Sequence, residues 1–236
     1  MQQRPRGKEL AEEVIRRLLA EYGRPETTLD DRDDPWRLLV AAILAAQCTD
    51  ERVNKITPAL WARFPEMKDL AEAAPQEIEP YIRSCGLFRN KAKKIHAAAC
   101  HILREHGGEV PSDIDSLLEV PGVGRKIANL LLGDAFGKQA VVVDTHCGRL
   151  ARRIGLSKAK SPAKVEKDLM RAVPESSWTL WGHLMVTPGR EVCMARSPNC
   201  QACVLEDICL EGRKLLRREA RETAKKRAAE SEEAGA

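Results

Sequence analysis

Residues 118–126 read Leu-Glu-Val-Pro-Gly-Val-Gly-Arg-Lys, and this stretch decides the fold. It follows one helical pattern and opens another, so it predicts a tight hairpin between two helices. Gly122 and Gly124 let the backbone turn sharply and approach a ligand closely. The N–H groups and dipole at a helix start form an anion site, and a nucleic-acid phosphate fits such a site. An ordinary helix–helix turn is the alternative, which Gly-x-Gly alone favours.

Lys126 lies in the first turn of the helix that follows this hairpin. A positive charge there is opposed by the helix dipole, by about 0.3–1 kcal/mol, which favours the neutral and nucleophilic amine. A lone lysine is more often a solvated charge. Lys126 is therefore a candidate only together with other reactive groups.

An acidic residue follows the apolar run Ala140-Val141-Val142-Val143. The run is rich in β-branched residues, but no partner strand is evident, so we predict a buried extended connector. Asp144 then either caps the helix that starts at Thr145 or faces a cleft, where it stabilises a developing sugar cation. His146 has the same ambiguity and is a secondary candidate.

Four of the eight cysteines are crowded into 17 residues with the spacing C-x6-C-x2-C-x5-C, namely Cys193, Cys200, Cys203 and Cys209. Four thiolates this close together are typical of a soft-metal site. Zinc and an iron–sulfur cluster both accept four cysteines, and abundance slightly favours zinc. The other cysteines are interpreted as small buried hydrophobes.

The composition is that of a globular protein, with 43% hydrophobic and 31% charged residues in a chain of 236. No apolar run approaches the ~20 residues of a membrane span and no signal peptide is evident, so we expect a cytoplasmic protein. The net charge of +4 permits a nucleic-acid partner without requiring one. Aromatic residues make up only 4%, which argues against a platform that stacks single-stranded bases.

Together these features resemble the endonuclease III family of helix-hairpin-helix DNA glycosylases. The resemblance extends from about residue 31 to residue 209. It rests on stretches that occur in the family's order: ILAAQCTD at 43–50, GLFRNKA at 86–92, VPGVGRKIAN at 120–129, VDTH at 143–146, and the cysteine set with identical spacing.

The resemblance implies an all-α, two-domain helix-hairpin-helix DNA glycosylase fold. A six-helix domain that contains the hairpin would span residues 28–138. Residues 1–27 and 139–209 would form a discontinuous domain with a [4Fe–4S] cluster bound to the four crowded cysteines, which decides against zinc by analogy. The charged C-terminal tail, residues 210–236, is expected to be flexible.

The resemblance also implies a bifunctional DNA glycosylase/AP lyase of base excision repair. Lys126 matches the nucleophile, which attacks the sugar C1′, releases an oxidised pyrimidine such as thymine glycol and forms a Schiff base. β-Elimination then cuts the strand 3′ of the abasic site. Asp144 matches the catalytic aspartate. Gln47 would fill the hole left by the flipped base, and Leu87 would be the wedge beside the opposite strand.

The remaining DNA contacts are expected from the hairpin and from the helix after Asp144, at Pro121, Gly122, Val123, Gly124, Arg125 and His146. The expected partner is double-stranded DNA with a damaged or abasic nucleotide. We expect a monomer without a membrane partner, acting at the nucleoid of a bacterial-type cell. The sequence departs from the family pattern at Thr187-Pro188-Gly189-Arg190, where a histidine before Gly-Arg is usual, and at Cys147-Gly148, which replaces a bulkier apolar pair.

Three other functions compete with this one. A monofunctional glycosylase for mismatched adenine or thymine would lack a lysine at position 126. A non-catalytic DNA-binding or redox-sensing iron–sulfur protein would not need both Lys126 and Asp144. A zinc-dependent DNA-binding module would be colourless when purified, whereas an iron–sulfur protein is yellow-brown.

Overall fold

The structure is a computed structural model and describes residues 4–233, without the side chains of residues 219 and 223–233. In this part of the chain the regular structure is entirely helical, which confirms the predicted all-α class. The helices are α1 (Gly7–Tyr22), α2 (Pro35–Leu44), α3 (Asp50–Arg63), α4 (Met67–Glu72), α5 (Pro75–Ile82), α6 (Phe88–His106), α7 (Ile114–Glu119), α8 (Arg125–Leu130), α9 (Thr145–Ile154), α10 (Pro162–Ala172), α11 (Trp178–Leu184), α12 (Val186–Glu191) and α13 (Leu210–Glu233).

The chain divides into two compact units. One is Glu26–Val142, where the sequence predicted a domain over 28–138. The other combines Met1–Pro25 with Val143–Ala236, where the sequence predicted 1–27 with 139–209 and a separate tail. No helix within residues 4–233 is long and apolar enough to cross a membrane. The cytoplasmic location stays a prediction.

The unit Glu26–Val142 is built around α2 and α6. Asp34 caps α2 by accepting hydrogen bonds from the backbone N–H groups of Trp36 and Arg37, at 2.9 and 3.1 Å. Eight of the ten residues of α2 are buried, as its apolar sequence predicts. Helices α4 and α5 pack on the long α6, while α8 packs on α2 and runs directly into a π-helical turn at Leu131–Ala135.

The apolar connector is buried and extended, as predicted. Val141 and Val143 are buried, and neither belongs to a strand. The side-chain amide of Asn129 on α8 donates to the carbonyl oxygen of Val141 at 2.9 Å. This bond satisfies a backbone group that has no strand partner, and it fixes the end of the unit that precedes Asp144.

In the other unit, α1 packs on α10 and α11, and α9 packs on α10, α12 and α13. The N-terminal segment holds the end of the cysteine-rich region, because Arg4 donates from Nε to the carbonyl oxygen of Ile208 at 2.6 Å and Arg17 donates to that of Val204 at 2.9 Å. The charged tail forms the single helix α13, and residues 234–236 lie outside the described residues. The expected flexibility of the tail stays a prediction.

Candidate active site and cysteine cluster

The predicted hairpin lies between the end of α7 at Glu119 and the start of α8 at Arg125. Gly122 has a φ of +88°, and a Cβ at this position would lie 3.1 Å from the Cβ of Lys94 and 3.4 Å from Cδ1 of Ile43. Gly124 has a φ of −101°, and a Cβ there would meet no atom within 4 Å. The fold therefore requires the first glycine, whereas the second one leaves open space above the hairpin.

Lys126 is the second residue of α8, and its side chain is exposed. Val123 is buried and anchors the hairpin to the core, while Arg125 is exposed on the same turn. The structure thus brings the predicted hairpin residues and Lys126 together on one short surface segment. This segment presents backbone groups and two basic side chains.

Asp144 caps α9. Its Oδ1 accepts a hydrogen bond from the backbone N–H of Cys147 at 2.7 Å, and the residue is half-buried. The structure therefore confirms the capping interpretation. This bond occupies one carboxylate oxygen, and a carboxylate has two, so capping also orients the group for a second interaction.

His146 is the second residue of α9, and its ring lies against Arg149 and Gly189. Nη2 of Arg149 donates to its Nδ1 at 3.1 Å. The ring also packs against Gly189, where a Cβ would lie only 2.7 Å from Nδ1. Gly189 is therefore needed to make room for the histidine. A DNA contact by His146 stays a prediction.

Gln47 and Leu87 share a backbone feature that the sequence did not reveal. Both have a φ of +57°, and within residues 4–233 they are the only non-glycine residues with positive φ. The left-handed conformation costs an L-residue roughly 1–2 kcal/mol. Both side chains are exposed, and Leu87 is 61% exposed although it is a large hydrophobe. Strain and exposure at one residue indicate a functional role rather than a packing role.

The four crowded cysteines, Cys193, Cys200, Cys203 and Cys209, line one cavity. They lie on a loop, residues 193–209, that contains no helix. Nη1 of Arg153 donates to Sγ of Cys193 at 3.3 Å. The backbone N–H of Leu205 donates to the sulfur of Cys203, and those of Glu211 and Gly212 donate to the sulfur of Cys209. Hydrogen bonds of this kind stabilise thiolates that bind a metal cluster.

Burial raises the pKa of the Cys200 and Cys209 thiols above the usual value, and it raises the pKa of Cys203 to about 11. Neighbouring thiolates in the cavity raise these pKa values further. Cysteine binds a metal as the thiolate, so metal binding is coupled to the loss of the thiol protons. Four cysteines that line one cavity, with N–H donors near their sulfurs, are a donor set that fits an iron–sulfur cluster.

Two arginines on one face of α9 hold the start of this loop. Arg149 donates from Nε to the carbonyl oxygen of Cys193 at 3.0 Å, and Arg153 donates to those of Met194 and Ala195 at 2.7 and 2.8 Å. Sequence reasoning missed both of these arginines. Their i, i+4 spacing was the available signal, because it places both on one face of the helix.

Comparison with known proteins decides the family. Residues 40–175 match the model of the HhH-GPD superfamily of base excision DNA repair proteins. Residues 193–209 match the iron–sulfur binding domain of endonuclease III. The chain belongs to the endonuclease III family.

Individual members of the endonuclease III family are similar over most of the chain. Endonuclease III of Synechocystis sp. is 48% identical over 203 residues, which are 86% of this chain and 92% of the relative. Endonuclease III of Bacillus subtilis is 43% identical over 182 residues, or 77% and 83% of the two chains. A solved structure of a trapped endonuclease III–DNA covalent intermediate superposes with a TM-score of 0.83 at 38% identity, covering 90% of this chain and all of the other.

This member of the endonuclease III family is therefore a base excision repair enzyme, a DNA N-glycosylase and AP lyase that acts on DNA. Its cofactor is a [4Fe–4S] cluster, which confirms the predicted iron–sulfur centre over zinc. The predicted helix-hairpin-helix glycosylase fold is confirmed as well. The roles of single residues and the damaged base stay predictions.

Proposed function

We propose that this enzyme removes oxidised pyrimidines such as thymine glycol from duplex DNA and cuts 3′ of the resulting abasic site, acting as a monomer. The observation that carries the proposal is Lys126, an exposed amine in the first turn of α8 directly after the hairpin. A 38% identical relative has been solved as a trapped covalent intermediate with DNA. A covalent intermediate requires a nucleophile from the enzyme, and Lys126 supplies one.

Lys126 would attack C1′ of the damaged nucleotide with its nitrogen lone pair. The C1′–N bond to the base breaks, and the base leaves with that electron pair and takes up a proton. The bound amine then loses its protons, the C1′–O4′ bond of the sugar ring breaks, O4′ takes up a proton, and the nitrogen lone pair completes an imine to C1′. Loss of a proton from C2′ then expels the 3′ phosphate by β-elimination, and water hydrolyses the imine. A positioned amine thus performs both base release and strand cleavage.

Asp144 would stabilise the positive charge that develops on the sugar as the base leaves. The 2.7 Å bond from the Cys147 N–H fixes the orientation of the carboxylate at the start of α9. A preoriented anion stabilises a cationic transition state without the cost of reorganisation. A monofunctional glycosylase needs only this carboxylate, so Lys126 is what favours the bifunctional reaction.

The other predicted residues have supporting roles in the proposal. The hairpin, residues 121–125, would bind DNA phosphate through its backbone. Gln47 and Leu87 would occupy the duplex after base flipping, which costs a few kcal/mol. Cys193, Cys200, Cys203 and Cys209 would hold the [4Fe–4S] cluster. When bound, the cluster links four points of a loop that has no helix of its own.

Borohydride trapping tests the lesion class and the reaction together, since borohydride reduces an imine to a stable amine. The enzyme is incubated with a duplex carrying one thymine glycol, a duplex with one abasic site and an undamaged duplex. We expect a covalent complex with the first two and none with the third. Trapping on the abasic duplex alone would overturn the lesion assignment, and no trapping on either would overturn the proposed reaction.

A further inference from the structure

A single buried lysine connects the two turns that carry Gln47 and Leu87. Lys91 on α6 is only 4% exposed. Its Nζ donates to the carbonyl oxygen of Leu44 at 2.8 Å and to that of Cys85 at 3.4 Å. Its backbone N–H donates to the carbonyl oxygen of Leu87 itself at 3.1 Å. One residue thus contacts the backbone of both turns.

The acceptors of this amine lie immediately before the strained residues. Leu44 is the last residue of α2, three positions before Gln47, and Cys85 precedes Leu87 by two. Carbonyl groups at a helix C-terminus lack partners within the helix and attract a positive charge. Burying an amine is costly unless its hydrogen bonds are made, so an apolar side chain would be the ordinary choice for this core position.

The two turns also need support from inside the protein. Left-handed residues other than glycine persist only where the surrounding structure fixes them. The side chains of Gln47 and Leu87 are both exposed, so the backbone must be held from the core side. Lys91 provides contacts to both turns from that side.

We propose that Lys91 is a positioning residue for base flipping. Its amine holds the two left-handed turns at one separation, so that Gln47 and Leu87 enter the duplex as a pair. The proposal rests on the proposed function of these two residues. Lys91 itself is buried and acts only through the turns.

The test replaces Lys91 with methionine, which keeps a long side chain and removes the N–H donors. Lys93→Met is the charge control, since Lys93 is an exposed lysine on the same helix. Ile102→Val is the packing control, because it removes one methylene from the buried face of α6. If Lys91→Met is not recovered folded, Lys91→Gln is used in its place, since it keeps one donor at a shorter reach.

The first measurement follows the entry of Gln47 and Leu87 into the duplex on a substrate that can be neither excised nor cleaved. Saturating enzyme is added to a duplex with a tetrahydrofuran abasic analogue opposite 2-aminopurine, whose fluorescence rises when it is unstacked. We expect the same rise for the wild type and both controls, and about half of it or less for Lys91→Met. Because the enzyme is saturating, weaker binding cannot cause the difference. An equal rise in Lys91→Met would overturn the proposal.

The second readout separates flipping from cleavage. We expect Lys91→Met to slow single-turnover excision of thymine glycol about tenfold, with a much smaller effect on cleavage of a ready-made abasic site. Adding Gln47→Ala to Lys91→Met should cause little further loss, because both changes act on the same step. Equal losses on the two substrates would show a general structural defect and overturn the proposal.

The wild type distinguishes this inference from the proposed function. If the wild type neither excises thymine glycol nor raises the 2-aminopurine signal, the proposed function itself fails. If the wild type does both and Lys91→Met behaves like Ile102→Val, only the role of Lys91 fails.

Discussion

The hairpin, residues 120–126, and the cysteine loop, residues 193–209, are stabilised in different ways. The hairpin is held by core packing. Val123 is buried and its N–H donates to the carbonyl oxygen of Val120 at 3.0 Å, while Gly122 lies against Lys94 and Ile43. The cysteine loop is held by arginines from α1 and α9, and burial raises the pKa of three of its thiols, those of Cys200, Cys203 and Cys209.

Because of this difference, we expect catalytic activity to depend on the hairpin and the stability of the fold to depend on the cysteine loop. The hairpin belongs to a complete apolar core, so Lys126 can be changed without loss of the fold. The cysteine loop has no helix of its own, and we expect it to depend on its cluster, since metal-binding free energy becomes folding free energy in such a segment. Substitutions at the exposed hairpin positions Gly124 and Lys126 should therefore affect activity first, and substitutions of the loop cysteines should affect stability first.

Lys126→Ala is expected to have the largest effect on activity. It removes the nucleophile, so imine trapping with borohydride on an abasic duplex should be abolished. The side chain is exposed, so the unfolding free energy should change by no more than about 0.5 kcal/mol. DNA binding should be largely retained, and Lys93→Ala serves as the control. Trapping at the wild-type yield in Lys126→Ala would contradict the assignment.

Cys203→Ser should have the largest effect on stability. It removes one proposed ligand, so the visible colour of the cluster should be lost and the unfolding free energy should fall by at least about 4 kcal/mol. The control is Cys100→Ser outside the loop, where the hydroxyl can replace the thiol as donor to the carbonyl oxygen of Ala71. Urea unfolding and visible absorption are measured on both. A coloured and fully stable Cys203→Ser protein would remove the contrast between the two regions.

Asp144 lies in the same unit as the cysteine loop. Asp144→Asn tests whether a substitution in this unit can lower activity without lowering stability, as we expect for Lys126→Ala. Asparagine is also a good helix cap, so the fold should be kept, whereas Asp144→Ala should lose about 1 kcal/mol of stability. Without the negative charge, single-turnover excision should slow by about 10²–10³-fold. A near wild-type rate in Asp144→Asn would leave Asp144 as a helix cap only.

The smallest effects are expected at the two glycines of the hairpin, where the same substitution should change stability at one position and DNA affinity at the other. Gly122→Ala forces a side chain into the left-handed region beside Lys94 and should cost about 1–2 kcal/mol of stability. Gly124→Ala meets open space at an allowed φ, so stability should be unchanged and only DNA affinity should fall, by a few-fold. Thermal unfolding and titration with an abasic-analogue duplex measure both. Equal destabilisation by the two changes would contradict this division of roles.

Features with a local pattern could be predicted from the sequence. The apolar run of α2, the proline that opens it, the hairpin and the buried connector all follow from periodicity and turn chemistry. The cap of α3 is harder to predict to the residue, because the helix is preceded by Thr49 and begins with Asp50. Both residue types are common caps, and it is Thr49 that accepts the N–H of Arg52.

Features that depend on tertiary contacts could not be predicted. The left-handed turns at Gln47 and Leu87 have no glycine to mark them. Lys91 looks like any charged residue on an amphipathic helix until its two carbonyl acceptors are seen. Arg153 likewise becomes significant only through its bond to the sulfur of Cys193, which is 40 residues away in sequence.

The most direct test of the account is to identify the residue that binds DNA covalently. The wild-type enzyme is trapped with borohydride on an abasic duplex, the complex is digested with nuclease and protease, and the modified peptide is sequenced by mass spectrometry. We predict a sugar adduct on Lys126. An adduct on another amine, such as Lys94 or the N-terminus, would contradict it.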